Sequence, residues 1–182
     1  MNIQYLTTNA GELTSKGVDV DWRWETPLDG LSLHGAMTLL STKYTKPFDP
    51  NPLNGVDESL EGRRAPRAPN FAGNFAFDYR VPLGNALELG FTGNAQFSGS
   101  YFTNEDSFED FRQRSYWTFD LAASIGDPDG RWQVALIGTN LSNKRYIGNT
   151  EPRPFLEGGV GDDVIRGYSR GRQISLEASF KF

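Results

Sequence analysis

The side chains with the greatest capacity for chemistry are carboxylates, which are grouped in three polar segments. They are Asp49, Asp57, Glu58, Glu61, Glu105, Asp106, Glu109, Asp110, Asp162 and Asp163. Such groups could bind calcium or a cationic ligand, because calcium prefers oxygen ligands. No interval among them matches the spacing of a dedicated calcium loop. Solvated charge on loops is therefore the favoured interpretation.

Two further features could bind a ligand, and a structural role is favoured for both. Arg63, Arg64 and Arg67 could pair with an anionic ligand or a lipid phosphate, because guanidinium groups bind oxyanions bidentately. A solvated or rim-pairing role is more typical of such a cluster. His34 could touch a ligand or a metal, but a single imidazole without a second ligand is usually structural. Neither feature predicts a binding site by itself.

Composition disfavours several classes of function. The 182 residues, enough for one domain, include no cysteine and one histidine. Disulfide frameworks, thiolate metal sites and His-dependent nucleophilic catalysis are therefore hard to build. A net charge of -5 and a pI near 4.9 offer no basic face for nucleic acid. The sequence predicts no enzyme, no metal site, no cofactor and no nucleic-acid partner.

Alternation of apolar and polar side chains is the main structural signal. It runs over fifteen residues from Leu87 to Tyr101, and such a period of two places the two kinds on opposite faces of a strand. Similar runs cover 18–24, 31–39, 71–81, 117–125, 132–136 and 174–182, with a short first strand expected at 3–7. The alternation of apolar and polar residues is interrupted at 137–141, where a β-bulge is expected. The predicted fold is all-β, an antiparallel up-and-down meander of about eight long strands.

The connections between these runs are of two kinds that alternate along the chain. The short ones are Pro/Gly/Asn/Asp turns at 27–30, 82–85 and 127–130. The long ones are polar and cover 47–65, 103–114 and 148–166. Because the strands of a meander run alternately up and down, the two kinds must lie at opposite ends of the sheet.

The two faces favour a transmembrane β-barrel, or part of one. The polar face carries mostly small uncharged side chains, which suit a hydrated lumen better than a surface in bulk water. The long strands match the about 9 to 11 tilted residues that cross a bilayer. Aromatic side chains near both strand ends resemble the interfacial girdles of outer-membrane barrels. The predicted girdle is Trp22, Trp24, Tyr79, Tyr101, Trp117, Trp132, Tyr146 and Tyr168.

Two alternatives remain open at this point. A soluble lipocalin-like binding barrel would need an apolar interior and a charged exterior. A small stand-alone eight-stranded outer-membrane barrel would need residues 1–7 to pair with 173–182, so that neither sheet edge is left free. Stacking of a sugar on Trp22, Trp24 or Trp117 is less favoured than a girdle role, because their phase places them on the apolar face.

Three stretches of the chain match the patterns of one known family. Asn9–Asp21 is similar to N-x-G-x-x-x-x-x-G-[VIF]-[ED], and Trp132–Tyr146 to W-x-[VL]-x-[LV]-x-[GV]-x-N-L-x-[ND]-[KE]-x-Y. Arg170–Arg172 opens a last strand that ends on the aromatic Phe182. Together they resemble the C-terminal β-barrel portion of a TonB-dependent outer-membrane receptor. The run Asn140–Tyr146 is the most specific of the three.

The resemblance implies a fold and a function for a parent protein. Such receptors have barrels of about 22 strands around a plug, and import a scarce ligand such as an iron-siderophore, haem, cobalamin or an oligosaccharide. Residues 1–182 are then the C-terminal segment of the barrel, with the plug domain, the N-terminal strands and a signal peptide absent. The implied location is the bacterial outer membrane. The implied partners are outer-membrane lipid, the barrel assembly machinery and, only through the missing plug, TonB.

The resemblance also assigns a role to the last strand. It is expected to carry the signal that the assembly machinery recognises, with the terminal aromatic residue as its anchor. The residues concerned are Ile174, Leu176, Ala178, Phe180 and Phe182. No residue that touches the transported ligand is predicted.

Overall fold

Seven long strands form one antiparallel sheet in the computed structural model, which describes residues 11–47, 59–104, 109–152 and 164–181. They are β1 (Leu13–Glu25), β2 (Leu31–Tyr44), β3 (Phe71–Leu83), β4 (Leu87–Ser98), β7 (Tyr116–Gly126), β8 (Trp132–Thr139) and β11 (Gln173–Phe180). Their order in the sheet is their order in the chain, so the up-and-down meander is confirmed. The predicted first strand at 3–7 lies outside the described residues.

Four short strands lie within the long connections. Tyr101–Phe102 (β5) pairs with Arg112–Gln113 (β6), and Ile147–Pro152 (β9) pairs with Val164–Tyr168 (β10). A single turn of 3-10 helix covers Glu109–Phe111. In the described part of the chain, no helix has the length and apolar character needed to cross a bilayer.

The pairing register keeps the two kinds of side chain apart across the whole sheet. Apolar residues pair with apolar residues, as in Val20 with Met37 and Phe97 with Trp117. Polar residues pair with polar residues on the other side, as in Asn94 with Asp120. A register slip of one residue on any strand would exchange its faces, so this segregation fixes the register. The two sides are called the outer face and the inner face below.

Burial of the two faces is inverted relative to a soluble sheet. The inner face holds buried polar side chains, including Ser32 at 6% exposure and Ser98 at 8%. The outer face leaves large apolar side chains open, including Trp117 at 49% and Leu176 at 74%. A sheet in water would bury its apolar face, because exposed apolar area costs about 25 cal/mol per Å². The inversion is that of a barrel wall with lipid outside and a polar lumen inside.

Short and long connections lie at opposite ends of the sheet, as the sequence predicts. At one end, the turn end, each short hairpin has a glycine in the left-handed region: Gly30 (φ 79°), Gly84 (φ 65°) and Gly130 (φ 71°). Glycine takes this conformation without a Cβ clash. At the other, the loop end, lie the long connections with β5, β6, β9 and β10.

Successive hairpins are staggered along the sheet. Glu25, beside the first short turn, pairs with Ser32, and the same row of pairs crosses β3 and β4 to reach Ala122 on β7. Ala122 lies four residues before Gly126, which is the end of β7 at the third short turn (126 − 122). The row crosses four interstrand steps, so neighbouring strands are offset by about one residue. With a rise of about 3.4 Å per residue and a distance of about 4.8 Å between strands, this offset corresponds to a strand tilt of about 35° from the barrel axis, within the range of barrels.

The sheet is not closed within the described residues. β1 and β11 are its two edge strands, and each pairs on one side only. Pairing of residues 1–7 with 173–182 concerns a segment outside the described ranges. Within the described residues the sheet is therefore open rather than a closed barrel.

Three details differ from the sequence prediction. β4 ends at Ser98 rather than Tyr101, and Tyr101 belongs to the separate short strand β5. No register shift occurs within the paired part of β8, so no bulge lies at 137–139, and the pairings do not extend to 140 and 141. The chain instead leaves β8 through a turn in which Asn140 and Asn143 have positive φ. The long connection 148–166, expected to be a polar loop, contains most of the β9–β10 hairpin.

Candidate functional site

The loop end contains the most tightly packed side chains of the described chain. Leu60 is 1% exposed and Phe111 is 2% exposed, although both belong to connections rather than to long strands. Thr103 donates its backbone N–H to the Phe111 carbonyl at 2.9 Å, and its hydroxyl lies 2.6 Å from the hydroxyl of Thr150. Two connections distant in sequence are thereby joined. The loop end is a built surface rather than a set of independent loops.

A cluster of three tyrosines lies beside this core. Tyr116 and Tyr146 stack with ring centroids 4.4 Å apart and planes 8° from parallel. Tyr116 is in phase with Thr118 on β7, which places it on the inner face. Tyr101 donates its hydroxyl to the Ile147 carbonyl at 3.3 Å. The cluster offers aromatic faces and phenol groups at the loop end of the lumen.

Electrostatics keep Tyr101 neutral. Tyr101 lies on β5, beyond the long strands, and burial raises the pKa of its phenol above the ordinary value of 10.0. The positive charge of Arg67 acts on that pKa in the opposite direction. Arg67 itself has φ 54°, and its backbone N–H donates to the Phe102 carbonyl at 2.7 Å. A cation is therefore held near the tyrosine cluster by the backbone of the β2–β3 connection.

The other two arginines of the cluster are also anchored in this connection. Arg64 donates from Nη1 to the side-chain oxygen of Asn70 at 2.7 Å. The Arg63 carbonyl accepts the Tyr44 backbone N–H at 3.0 Å. These contacts support the structural role expected from the sequence and place the segment against the end of β2.

Most loop carboxylates fall outside the described residues. They are Asp49, Asp57, Glu58, Glu105, Asp106, Asp162 and Asp163. Glu61 is exposed, and Glu109 forms an ion pair with Arg112 at 3.1 Å. Within the described ranges, no group of three acidic or histidine side chains could hold a metal ion.

The inner wall carries isolated ion pairs rather than a continuous ladder. Arg23 and Glu25 lie 2.6 Å apart within β1, and Arg80 and Glu88 lie 3.7 Å apart across β3 and β4. Each pair is at least one-third exposed, so each contributes little to stability. His34 places Nδ1 3.5 Å from Asp78 but makes no hydrogen bond there.

The structure explains why the most specific motif needs asparagine at position 140. Asn140 has φ 48°, a conformation that asparagine tolerates better than most residues. Its side-chain oxygen accepts the Lys144 backbone N–H at 3.0 Å. Its amide donates to the Lys144 carbonyl at 2.7 Å and to the Arg170 carbonyl at 3.0 Å. One side chain therefore closes the turn after β8 and ties it to the segment before β11.

Two neighbours complete this junction. Asp120 on the inner face accepts the Asn140 backbone N–H at 2.7 Å. Asn143, also at positive φ (51°), accepts the Arg172 backbone N–H on its side-chain oxygen at 3.0 Å. The contact of Asp120 with this turn could not be predicted from the sequence, since its partner lies twenty residues away and only the topology brings the two together.

Five of the eight proposed girdle residues lie on the outer face of the long strands. They are Trp22, Trp24, Tyr79, Trp117 and Trp132. A sixth, Tyr168, is 58% exposed on β10 at the loop end. The other two, Tyr101 and Tyr146, contact the inner-face Tyr116 instead. Tyr101 lies on β5, which does not continue the alternation of β4, and Tyr146 follows the turn after β8. For these two residues the geometry departs from the girdle prediction.

Two outer-face phenylalanines extend the aromatic band at the loop end. Phe71, Phe97 and Trp117 lie on the adjacent strands β3, β4 and β7. Ring centroids are 5.5 Å apart for the first pair and 5.0 Å for the second. Sequence reasoning did not include Phe71 and Phe97, although their phase and their position near strand ends could have identified them.

The last strand presents its apolar side chains outward on an edge strand. Ile174, Leu176 and Phe180 are 68%, 74% and 63% exposed. Ala178 shares their face, and Phe182 lies outside the described residues.

Comparison with known families decides the identity of this wall. Residues 1–141 match the family model described as TonB dependent receptor-like, beta-barrel. The chain belongs to the TonB-dependent receptor β-barrel family. The match covers the first motif and most of the second, and the antiparallel meander agrees with it.

Solved structures of TonB-dependent receptors show the same fold. The ferric yersiniabactin uptake receptor FyuA from Yersinia pestis aligns with a TM-score of 0.75 at 17% identity, over 96% of this chain and 24% of its own. The ferric citrate transporter FecA gives 0.68 at 17% identity, over 94% and 25%. The siderophore receptor PiuA from Acinetobacter baumannii gives 0.67 at 21%, over 92% and 22%. The chain thus spans about a quarter of the length of the receptors it matches.

Proposed function

We propose that this chain is the C-terminal wall of an outer-membrane transporter that imports a ferric chelate with energy passed on by TonB. TonB-dependent receptors are outer-membrane proteins, and the observation that carries the proposal is the inverted burial of the sheet. An apolar outer face and a polar inner face suit a wall between lipid and an aqueous lumen. In this proposal residues 1–182 are the C-terminal segment of a larger barrel.

The inner face is proposed to contact a plug domain contributed by another part of the parent protein. The middle of this face carries small polar side chains on adjacent strands. For example, Asn74 Nδ2 donates to Asn94 Oδ1 at 3.3 Å. They offer hydrogen-bond partners without bulk, which suits a wall that must release and rebind a plug. TonB would act on this chain only through that plug.

The chemistry of the loop end supports the proposed ligand class. Tyr101, Tyr116 and Tyr146 present aromatic and phenol groups at the loop end of the inner face, with Arg67 close enough to affect the Tyr101 phenol. An anionic chelate with aromatic arms fits this chemistry, because guanidinium groups bind oxyanions and aromatic rings stack. Two of the structural neighbours are a ferric yersiniabactin uptake receptor and a ferric citrate transporter, which supports an iron chelate over haem, cobalamin or an oligosaccharide.

The outer face and the last strand are proposed to serve membrane insertion. Trp22, Trp24 and Trp117 would anchor the wall at the two lipid interfaces, as girdle residues do. The edge strand with Ile174 and Phe180 would be the segment that the barrel assembly machinery recognises, because among the described residues it pairs on one side only and presents apolar side chains outward.

Uptake of radioactive iron tests the transport proposal. Cells that carry the full-length receptor are given ⁵⁵Fe-citrate or a ⁵⁵Fe-catecholate, with and without TonB. We expect TonB-dependent accumulation of one chelate. Tyr116→Leu should weaken it by about two- to tenfold, since an aromatic contact contributes about 0.5–1.5 kcal/mol. Tyr79→Leu, on the outer face, serves as the matched control and should leave uptake unchanged.

Two results would count against the proposal. Cobalamin uptake without uptake of either iron chelate would overturn the ligand class and leave the transporter role intact. Accumulation of no substrate in a TonB-dependent manner would overturn the transporter role itself.

A further inference from the structure

The tyrosine cluster at the loop end brings oxygen atoms of different segments together. The Tyr101 hydroxyl oxygen lies 3.3 Å from the Ile147 carbonyl oxygen, and the hydroxyl groups of Tyr101 and Tyr116 interact with each other. Tyr101 Oη is therefore a neighbour of both other oxygens. In an octahedral site with bonds of about 2.0–2.1 Å, adjacent oxygen ligands lie about 2.9 Å apart. The distance of 3.3 Å is thus close to that between two neighbouring ligands of one small cation.

The backbone beside these oxygens is held from both sides. Gln113 is 4% exposed, and its Oε1 accepts the Ile147 N–H at 2.6 Å. Tyr101 donates its hydroxyl to the carbonyl of the same residue. Tyr146 precedes Ile147 in the chain and stacks on the Tyr116 ring. These contacts fix the oxygens before a ligand arrives, which reduces the entropy lost on binding.

The surroundings of Tyr101 allow its oxygen to carry negative charge when a cation is bound. Burial opposes a phenolate there, whereas the interaction with Tyr116 and the positive charge of Arg67 favour one. A metal ion bonded to the oxygen would outweigh burial, because the ion is then the largest local charge. Arg67 would stay near the site and could pair with a carboxylate of the ligand.

The donor set indicates which kind of cation could bind. Phenolate and carbonyl oxygens are hard ligands, which suit a hard cation of high charge such as Fe³⁺ better than metals that prefer nitrogen or sulfur. An octahedral ion that takes one to three oxygens from this cluster keeps its other positions for a second molecule. A chelate that surrounds its iron completely has no position left for a tyrosine. A chelate with water on the iron does have one.

We propose that Tyr101 binds the iron of an incompletely coordinated ferric chelate directly through its phenol oxygen, beside the oxygens of Tyr116 and Ile147. In this step a water ligand leaves the iron, the Tyr101 O–H bond breaks, the proton passes to the solvent and an iron–oxygen bond forms. The iron stays ferric throughout, and it is cargo rather than a resident metal. The inference rests on the proposed import of a ferric chelate. It narrows the substrate class to chelates, such as hydroxycarboxylates, that leave a position on the iron open.

Visible absorption spectroscopy of the full-length receptor in detergent micelles tests the proposal. The probes are ferric nitrilotriacetate, which leaves positions on the iron open, and ferric desferrioxamine, which leaves none. We expect the first to give a phenolate-to-iron charge-transfer band and to release one proton per bound ion. The second should give neither signal.

A matched pair of variants locates the iron–oxygen bond. Tyr101→Phe removes the phenol oxygen and keeps the ring, so the charge-transfer band should disappear. Binding of ferric nitrilotriacetate should weaken at least about tenfold, because even the loss of a group that only supports a metal ligand costs about 10–100-fold in affinity. Tyr79→Phe, on the outer face, is the control and should change neither the band nor the affinity. Heat-modifiable migration on a denaturing gel checks that each variant is folded.

Three results would overturn the proposal. No charge-transfer band in the wild-type receptor at excess ferric nitrilotriacetate would mean that the tyrosines contact only the organic part of a chelate. A band of full intensity in Y101F would assign the iron to another residue. Equal affinity for the two probes would mean that an open position on the iron is not used.

Failure of this inference can be told apart from failure of the proposed function. TonB-dependent uptake of ferric citrate by cells, with no charge-transfer band in the purified receptor, would overturn the iron–phenolate bond and leave the transporter role intact. A band that is lost in Y101F, in a receptor that transports no iron chelate, would do the reverse.

Discussion

Replacement of Asn140 by alanine is the perturbation whose cost can be worked most directly from the structure. The side chain makes two partly buried hydrogen bonds, with the Lys144 N–H and the Lys144 carbonyl, at 3.0 and 2.7 Å. At about 1 kcal/mol each, their loss costs about 2 kcal/mol. Alanine at φ 48° adds about 1 kcal/mol, because a Cβ disfavours the left-handed region. The more exposed bond to Arg170 contributes less, so the total is about 3 kcal/mol.

Glycine at the same position separates the two contributions. Asn140→Gly loses the hydrogen bonds but tolerates the positive φ, so its cost should be about 2 kcal/mol. The assay is urea unfolding of the full-length receptor in lipid micelles, followed by tryptophan fluorescence. Asn85→Ala, in an exposed turn at the opposite end, is the control and should change the unfolding free energy by less than about 0.5 kcal/mol.

The reasoning about Asn140 is refuted by either of two results. An unfolding free energy of N140A within about 0.5 kcal/mol of wild type would mean that the junction does not contribute to stability. An N140G variant as unstable as N140A would mean that the left-handed conformation carries no cost.

Three further predictions concern the turn end, the middle of the outer face and the loop end. Arg131 donates hydrogen bonds to Asp127, and these bonds lower the pKa of the Asp127 carboxyl below 3.8. The interaction therefore stabilises the folded protein above pH 3.8, and this stabilisation is lost as the pH falls through the lowered pKa. Asp127→Asn should therefore destabilise the receptor in unfolding experiments at pH of about 7, and the difference from wild type should shrink as the pH falls below 3.8. Gly93→Val forces a Cβ into the Phe77 ring and should cost about 1–3 kcal/mol in the same assay; wild-type stability would contradict the packing described. Trp117→Ala removes ring contacts at 5.0 and 6.0 Å and should cost about 1–3 kcal/mol, with no loss expected if the ring lies free in lipid.

The faces and order of the long strands could be predicted because both depend on local information. A period of two assigns each residue between Phe71 and Leu83 to a face without knowledge of its partner. The short turns fix which strands are neighbours. The family motifs then supplied the class of barrel, and the family match over residues 1–141 agrees with them.

The loop end could not be predicted because its structure depends on contacts between distant segments. The break after Ser98 moves Tyr101 onto β5, which pairs with β6 rather than with the long strands, and no local pattern records that pairing. The inward placement of Tyr101 and Tyr146 follows from the break and from the turn at Asn140. The motif identified Asn140 as important, but its bond to Arg170, thirty residues away, is visible only in three dimensions.

The central claim is that the apolar face of this sheet meets lipid and the polar face meets an aqueous lumen. Single cysteines at successive positions from Trp117 to Ser124 can carry a nitroxide spin label, and the 182 residues of this chain contribute no native cysteine to the background. The full-length receptor in lipid vesicles is then exposed to oxygen, which partitions into lipid, and to a water-soluble nickel chelate. The account predicts a period of two, with high oxygen and low nickel accessibility at odd positions such as Phe119 and the reverse at even positions such as Thr118. Uniform accessibility along β7, or the opposite phase, would contradict it.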